Sequence, residues 1–286
     1  MLTQEQIDFY HENGYLGAEN VLSAEEVTDL RRVTNEFVEK SREVTGHTGV
    51  FDLEPGHTPE VPRVRRIKSP AAQHIVYNQT LRHDRILDIV EQLIGPGVSH
   101  NGHKLNMKYP EFGSPVEWHQ DWAFYPHTND DLLAVGVAID DMSLENGCLM
   151  VIPGSHEGPT YDHHQNGAFV GAVTDPNFST GNAVPVEVKA GGISIHHVRM
   201  LHGSAPNSSS KPRRLLLLQY CAVDAWPLSG ADWDDFKSLV LRGEATNQPR
   251  MIAAPVRLAR PYAERGGSIY EVQTLLENRI LSKKDK

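Results

Sequence analysis

Residues 118–121 read Trp118-His119-Gln120-Asp121. Residues 202–204 read His202-Gly203-Ser204, and Arg213 opens a run that continues Leu215-Leu216-Leu217-Leu218. Successive side chains on a strand alternate between its two faces, so His119 and Asp121 can point together while Gln120 points elsewhere or bonds at a rim. One histidine and one carboxylate in that relation, with a distant second histidine, form the ligand set of a facial triad for non-haem iron(II). Three ligands on one face leave the other face open for a cosubstrate and dioxygen. Arg213 offers a planar, bidentate partner for the far carboxylate of such a cosubstrate, which a lysine could not copy. A lone His-x-Asp arises by chance in many proteins, and it is the second segment that gives it weight. His196 and His197 are rivals for the third ligand. They sit at the other end of the same strand-like run and rank behind His202.

Around these segments the pattern is one of short strands. Candidates are 98–108, 132–140, 147–152, 184–189, 192–197 and 213–223. The four leucines read as a strand buried on both faces, although periodicity alone also permits a helix. Asn146-Gly147, Pro153-Gly154 and Gly191-Gly192 mark turns, the first of them a hairpin turn. Three capping boxes open helices at Thr3-x-x-Gln6, Ser23-x-x-Glu26 and Ser268-x-x-Glu271. The second helix carries Val27, Leu30, Val33 and Phe37 on one face. A fourth, from about Asp84 to Ile94, stops at Gly95-Pro96. The expected fold is mainly β with flanking helices, a sandwich or barrel in one domain. N-terminal helices fill about 1–95, the β core about 96–223 and a helical extension about 224–286. Segments 45–65 and 154–183 read as long loops that serve as lids and set substrate choice.

A chain of 286 residues can bury a full core. Its formal charge of −10 invites neither nucleic acid nor an anionic membrane. No apolar run approaches the roughly 20 residues that span a bilayer, and residues 1–20 hold no signal-peptide apolar region. Two cysteines, Cys148 and Cys221, make no disulfide framework and read as small core residues in a reducing compartment. Lys283-Lys284-Asp285-Lys286 matches no peroxisomal tripeptide. The expectation is a cytoplasmic protein with a small-molecule substrate, either monomer or homodimer, its 232–280 segment packed on the barrel or across a dimer interface.

The motifs Lys108-Tyr109-Pro110, Trp118-His119-Gln120-Asp121, Glu145-Asn146-Gly147-Cys148-Leu149, Ile152-Pro153-Gly154-Ser155-His156, His202-Gly203-Ser204 and Arg213 occur in this order. As a set they resemble the phytanoyl-CoA dioxygenase family of iron(II)/2-oxoglutarate oxygenases, from about Lys68 to Val223. The resemblance implies a double-stranded β-helix, a squashed cupin-like jelly roll, with helices outside. It implies iron(II) on His119, Asp121 and His202. It puts the 2-oxoglutarate C5 carboxylate on Arg213 with Ser204 as a hydroxyl partner. Lys68, Lys104 and Gln120 correspond to positions reaching or lining the cosubstrate pocket. The family commonly has a Trp where this chain has Val137, which implies a roomier pocket wall. Trp122, Phe124 and Tyr125 either line the substrate site or pack in the core. His163 and His164 are loop residues that either touch substrate or face solvent.

The activity implied is hydroxylation of an unactivated C–H in a small natural-product or lipid-like substrate, consuming dioxygen and releasing succinate and CO2. The intact Asp121 carboxylate favours hydroxylation, desaturation or ring formation over halogenation. Two other readings stand beside it: a cupin-like metalloenzyme without 2-oxoglutarate, and a non-catalytic barrel for a small ligand. Arg213 separates the first of these, which needs no cosubstrate anchor. The cost of burying His, Asp and His without a metal weighs against the second.

Overall fold

The computed structural model describes residues 1–110, 113–262 and 267–281, so the C-terminal tetrapeptide read above lies outside the described residues. In chain order the strands are β1 (Tyr15–Ala18), β2 (Phe51–Leu53), β3 (Val64–Lys68), β4 (Val98–Lys108), β5 (Val116–His119), β6 (Leu132–Ala138), β7 (Leu149–Val151), β8 (His164–Gln165), β9 (Ala168–Phe169), β10 (Val184–Val186), β11 (Ile193–His197), β12 (His202–Ser204), β13 (Arg213–Ala222) and β14 (Val240–Arg242). The helices are α1 (Gln4–Asn13), α2 (Ala24–Lys40), α3 (Pro70–Gln73), α4 (Ile75–Leu81), α5 (Asp84–Ile94), α6 (Trp233–Ser238) and α7 (Ile269–Val272).

All named strand pairs are antiparallel. The larger sheet runs β1-β11-β6-β13-β4-β3-β2, with β14 added on β4, and the smaller runs β10-β7-β12-β5. The tetraleucine run sits at the centre of the larger sheet, between β6 and β4. Alternation divides its side chains. Leu216, Leu218 and Tyr220 join the core under the helices, while Arg213, Leu215 and Leu217 face a chamber between the sheets. The expected cupin-like jelly roll is therefore the observed one.

The helices cover the outer face of the larger sheet. Val27, Leu30, Val33 and Phe37 of α2 are all buried there, together with Ile86, Leu87, Ile89, Val90, Leu93 and Ile94 of α5. Each such side chain contributes roughly 1.5–3 kcal/mol when fully buried. The capping boxes at Thr3, Ser23 and Ser268 all form. Gly136 of β6 lies where a Cβ would come within 2.6 Å of Ser194 Oγ and 2.9 Å of Leu215 Cδ1, so a larger residue would push β11 or β13 away. Gly147 takes φ +76 in a turn, but the expected hairpin is not formed, because the flanking β6 and β7 belong to different sheets.

Three further expectations are corrected. The first 95 residues are not helices alone, because β1 pairs with β11 at one sheet edge and β2 and β3 extend the other. Segment 45–65 therefore holds a strand and the start of another, and 154–183 holds the β8–β9 hairpin. Among the described residues the region after 224 is mostly without regular secondary structure, with α6 and α7 its only α-helices. Pro227, Pro249, Pro255 and Pro261 punctuate it, and proline removes a helix donor and clashes with the preceding turn. Both cysteines are unpaired and buried. Among the described residues no helix is long and apolar enough to cross a membrane.

Candidate active site

His119 ends β5 and His202 opens β12, directly opposite each other in the smaller sheet, with ring centroids 4.0 Å apart. Beyond β5 the chain stays extended through Gln120 (φ −116, ψ 129) before Asp121 enters a 3-10 turn. Strand alternation thus persists one residue past the ladder and returns Asp121 to the side of His119. All three side chains are buried, and one donor atom of each lies within 4.8 Å of the others, a group that could hold a metal ion. Among the described residues it is the only such group of three His, Cys, Asp or Glu.

The tautomers follow from hydrogen bonding. His119 Nδ1 donates to the Glu117 carbonyl at 2.8 Å, and His202 Nδ1 donates to the Met200 carbonyl at 2.9 Å. A carbonyl only accepts, so both Nε2 lone pairs are left for a metal, as ligating histidines require. Burial pushes the His119 imidazole down to about 4 and the His202 imidazole well below its ordinary value. Burial alone would raise the Asp121 carboxyl, but His196, His202 and Lys104 outweigh it and hold the group well below the usual carboxylate range. At neutral pH the three side chains are in the protonation states that bind a cation.

A chamber of about 60 Å³ runs from the triad past Asn106, Leu215 and Leu217 to Ser204 and Arg213. Arg213 is 3 % exposed, and its Nη2 donates weakly to Ser204 Oγ at 3.4 Å. Its Nε and Nη1 have no partner among the described residues. A buried guanidinium without an acid is costly, and this one faces a cavity that would accept a carboxylate. The orphaned donors are the local mark of a site shaped for an anionic cosubstrate.

The model of the phytanoyl-CoA dioxygenase (PhyH) family matches residues 10–215. The chain belongs to the phytanoyl-CoA dioxygenase family. It is 36% identical over 280 residues to a Stutzerimonas stutzeri protein named "Probable alpha-ketoglutarate-dependent hypophosphite dioxygenase", across 95% of this chain and 97% of that one. It is 28% identical over 222 residues to the methylphosphonate hydroxylase of Gimesia maris, across 78% and 82%. Among solved structures, the non-heme alpha ketoglutarate dependent carbocyclase SnoK from nogalamycin biosynthesis superposes with a TM-score of 0.65 at 25% identity, across 86% and 94%. This phytanoyl-CoA dioxygenase family member is an oxidoreductase whose cofactors are iron, 2-oxoglutarate and dioxygen.

Several site residues expected from the sequence lie elsewhere in this family member. Gln120 points away from the triad, by the same alternation that aligns the ligands. Its Nε2 donates to the carbonyls of Pro159 and Arg199, and its Oε1 accepts from Tyr161 N–H, so it pins a loop. His163 is that pin's partner, with Nε2 accepting from Gln120 N–H and Nδ1 donating to the Tyr161 carbonyl. His164 bonds Asp162 and the Arg260 carbonyl. Trp122 packs among Leu132, Val198 and Ala225, and its Nε1 donates to the Pro255 carbonyl. Val137 shares its face with Leu133, Val135 and Ile139 under the helices, so it walls no pocket. Lys68 lies outside both chambers, with Nζ held by Asp52 at 2.8 Å and the Thr48 carbonyl at 2.8 Å.

Phe124 and Tyr125 do line a chamber. An outer cavity of about 490 Å³ meets the inner one at Lys104 and Asp121, and Phe124, Tyr125, Phe169, Gln219 and Tyr262 wall it. Lys104 lines both cavities, and its charge acts on the Asp121 carboxylate. Gln219 Nε2 donates to Tyr125 Oη. His196 flanks the triad without joining it: its ring lies 4.2 Å from that of His202, and its Nε2 is 3.6 Å from Asp121 Oδ2. His197, one residue on, faces the other way and packs on His156. Ile269, Tyr270 and Val272, from the C-terminal segment, wall the chambers together with Phe169 of the expected lid 154–183, while no residue of the expected lid 45–65 lines either.

The buried histidines set an acid limit on the fold. Burial depresses His119 and His127 to about 4 and His163 to about 3. An unfolded chain takes up these protons near 6.5, so stability is complete above that pH and falls as pH drops toward 4. The Tm of metal-free protein is expected to fall by roughly 10 °C between pH 7 and pH 5. Differential scanning calorimetry across that window checks it, and a flat Tm would show that these rings titrate freely.

Proposed function

We propose that His119, Asp121 and His202 hold iron(II), that Arg213 and Ser204 hold 2-oxoglutarate, and that the enzyme hydroxylates a small anionic substrate in the outer chamber. The observation that carries this is one continuous cavity with the buried triad at one end and, at the other, a buried guanidinium whose Nε and Nη1 lack partners among the described residues. When bound, the metal and cosubstrate supply the activation of dioxygen, with one oxygen atom ending in succinate and the other in the product hydroxyl. The chain's own residues bind, orient and exclude water. Arg213 fixes the cosubstrate's length along the chamber. Lys104, between the two cavities, presents its ammonium to a substrate oxyanion, and Gln219 and Tyr125 supply further polar contacts. Phe124, Phe169 and Tyr262 form the apolar wall that keeps bulk water from the reacting bond.

The substrate class follows from that lining together with the relatives. Among the described residues two cations, Lys104 and the Asp52-paired Arg66, line the outer chamber, which suits a small oxyanion better than the lipid-like acid expected from sequence. Two relatives are named for hypophosphite and methylphosphonate. Tetrahedral phosphorus oxyanions with an oxidisable P–H or C–H are therefore the first class to test. The site residues all come from one chain, so the reading needs no second copy, and unpaired cysteines suit a cytoplasmic enzyme.

Succinate release with iron(II) and 2-oxoglutarate, scanned over hypophosphite, methylphosphonate, L-proline and a long-chain acyl-CoA, tests this. The expected result is stimulation by a phosphorus oxyanion, with Lys104→Ala raising its KM by roughly tenfold or more and leaving 2-oxoglutarate affinity unchanged. Stimulation by the acyl-CoA or proline alone would refute the substrate class. A cupin-like enzyme without cosubstrate is the weaker reading, because it leaves the orphaned Arg213 unexplained.

A further inference from the structure

The C-terminal segment returns across the mouth of the barrel and is tied to the strand that carries the first histidine. Ile280 and Leu281 donate their backbone N–H groups to Glu117 Oε2 at 3.0 and 2.9 Å. Gln273 accepts from Glu117 N–H at 2.9 Å and donates to the Gly171 carbonyl at 2.7 Å. Glu117 stands two residues before His119 on β5. Just before these ties, the Ser268–Glu271 capping box starts the single turn of α7, and Tyr270 stands in the wall of the inner chamber with Ser204 and Arg213.

Tyr270 is 6 % exposed, and its hydroxyl has no partner among the described residues. The Arg65 guanidinium lies over the ring, 4.5 Å from its centroid. Burial raises the phenol's pKa, so it carries its proton at neutral pH. Arg213 Nε and Nη1, in the same chamber, also lack acceptors. A guanidinium cannot accept a hydrogen bond, so Arg213 cannot satisfy the Tyr270 proton. Two groups with donors and no acceptor, buried around one cavity, call for an acceptor that enters it. A carboxylate has two oxygens with about four lone-pair sites, enough for both.

We propose that Tyr270 donates its hydroxyl hydrogen to the distal carboxylate of 2-oxoglutarate alongside Arg213, so that the C-terminal segment completes the cosubstrate site. The assignment rests on the proposed placing of 2-oxoglutarate at Arg213. It makes α7 a working part of the site, where sequence pattern shows only an ordinary helix start. Cosubstrate affinity then depends on a segment that belongs to neither sheet.

The test is Tyr270→Phe, which keeps the ring against Arg65 and removes the hydroxyl. Binding to Mn(II)-loaded protein is followed by calorimetry with 2-oxoglutarate and with pyruvate, a 2-oxo acid that lacks the distal carboxylate. The expected result is about a tenfold or greater loss of 2-oxoglutarate affinity, with pyruvate and Mn(II) affinities unchanged. Equal 2-oxoglutarate binding by variant and wild type would overturn the assignment, as would a matching loss for pyruvate, which would mark a general packing defect. If wild-type protein itself fails to bind 2-oxoglutarate, the cosubstrate placement falls along with Tyr270. If wild type binds it and Arg213→Ala does not, that placement stands whatever Tyr270 does.

Discussion

His202→Ala protein is expected to lose stoichiometric iron and to turn over at background. His202 supplies one of the three ligand atoms of the triad, and its Nδ1 bond to the Met200 carbonyl leaves Nε2 for the metal. His196 lies close, but it is braced on β11 of the opposite sheet and its nearest approach is to Asp121. The metal supplies several kcal/mol of the catalytic effect, and at about 1.4 kcal/mol per tenfold its loss corresponds to roughly a thousandfold or more in rate. The fold should persist, because the helix-side core does not include His202. Metal analysis after dialysis against iron(II), set beside succinate release, checks the prediction. A variant that retains iron and activity would shift the third-ligand role to His196.

Arg213→Ala is expected to weaken 2-oxoglutarate binding by roughly 10²–10³-fold while leaving metal affinity intact. Removing one partner of a buried, hydrogen-bonded charge pair costs about 2–5 kcal/mol, much of it from the charge left unpaired. The effect should appear in the KM for 2-oxoglutarate before it appears in the KM for substrate, because Arg213 lies at the far end of the inner chamber from Phe124 and Tyr125. Arg213→Lys should recover only part of the loss, since an ammonium cannot form the planar two-point contact. Separate titrations of metal and cosubstrate distinguish this pattern from unfolding, in which both affinities fall together.

The residues that read most clearly were those whose signal is local. β4, β6 and β13 were visible as long apolar or alternating runs. The triad was visible because two ligands stand at i and i+2 along one extended stretch, His119 ending β5 and Asp121 just beyond it, and a separate motif carries the third. Alternation pointed Gln120 away from the ligands, and it could also have placed Val137 correctly. Gln120 lies between two ligands and must face the other way. Val137 keeps parity with Leu133, Val135 and Ile139, which are buried under helices. Family resemblance drew both toward the pocket against that parity. β2, β8 and β9 are two or three residues long, too short for any period to show. Tyr270 was out of reach for a different reason. Its place depends on a chain return that joins Glu117 to Ile280 and Leu281, contacts more than 160 residues apart in sequence. The same return is why the chambers are walled by α7 and not by segment 45–65.

The most direct test of the account is an anaerobic titration of metal-free wild-type protein with iron(II) and then 2-oxoglutarate, followed by visible absorption. The account predicts a weak charge-transfer band that requires both components, is weakened in Arg213→Ala and is absent in His202→Ala. Iron binding with no band and no measurable affinity for 2-oxoglutarate would contradict it.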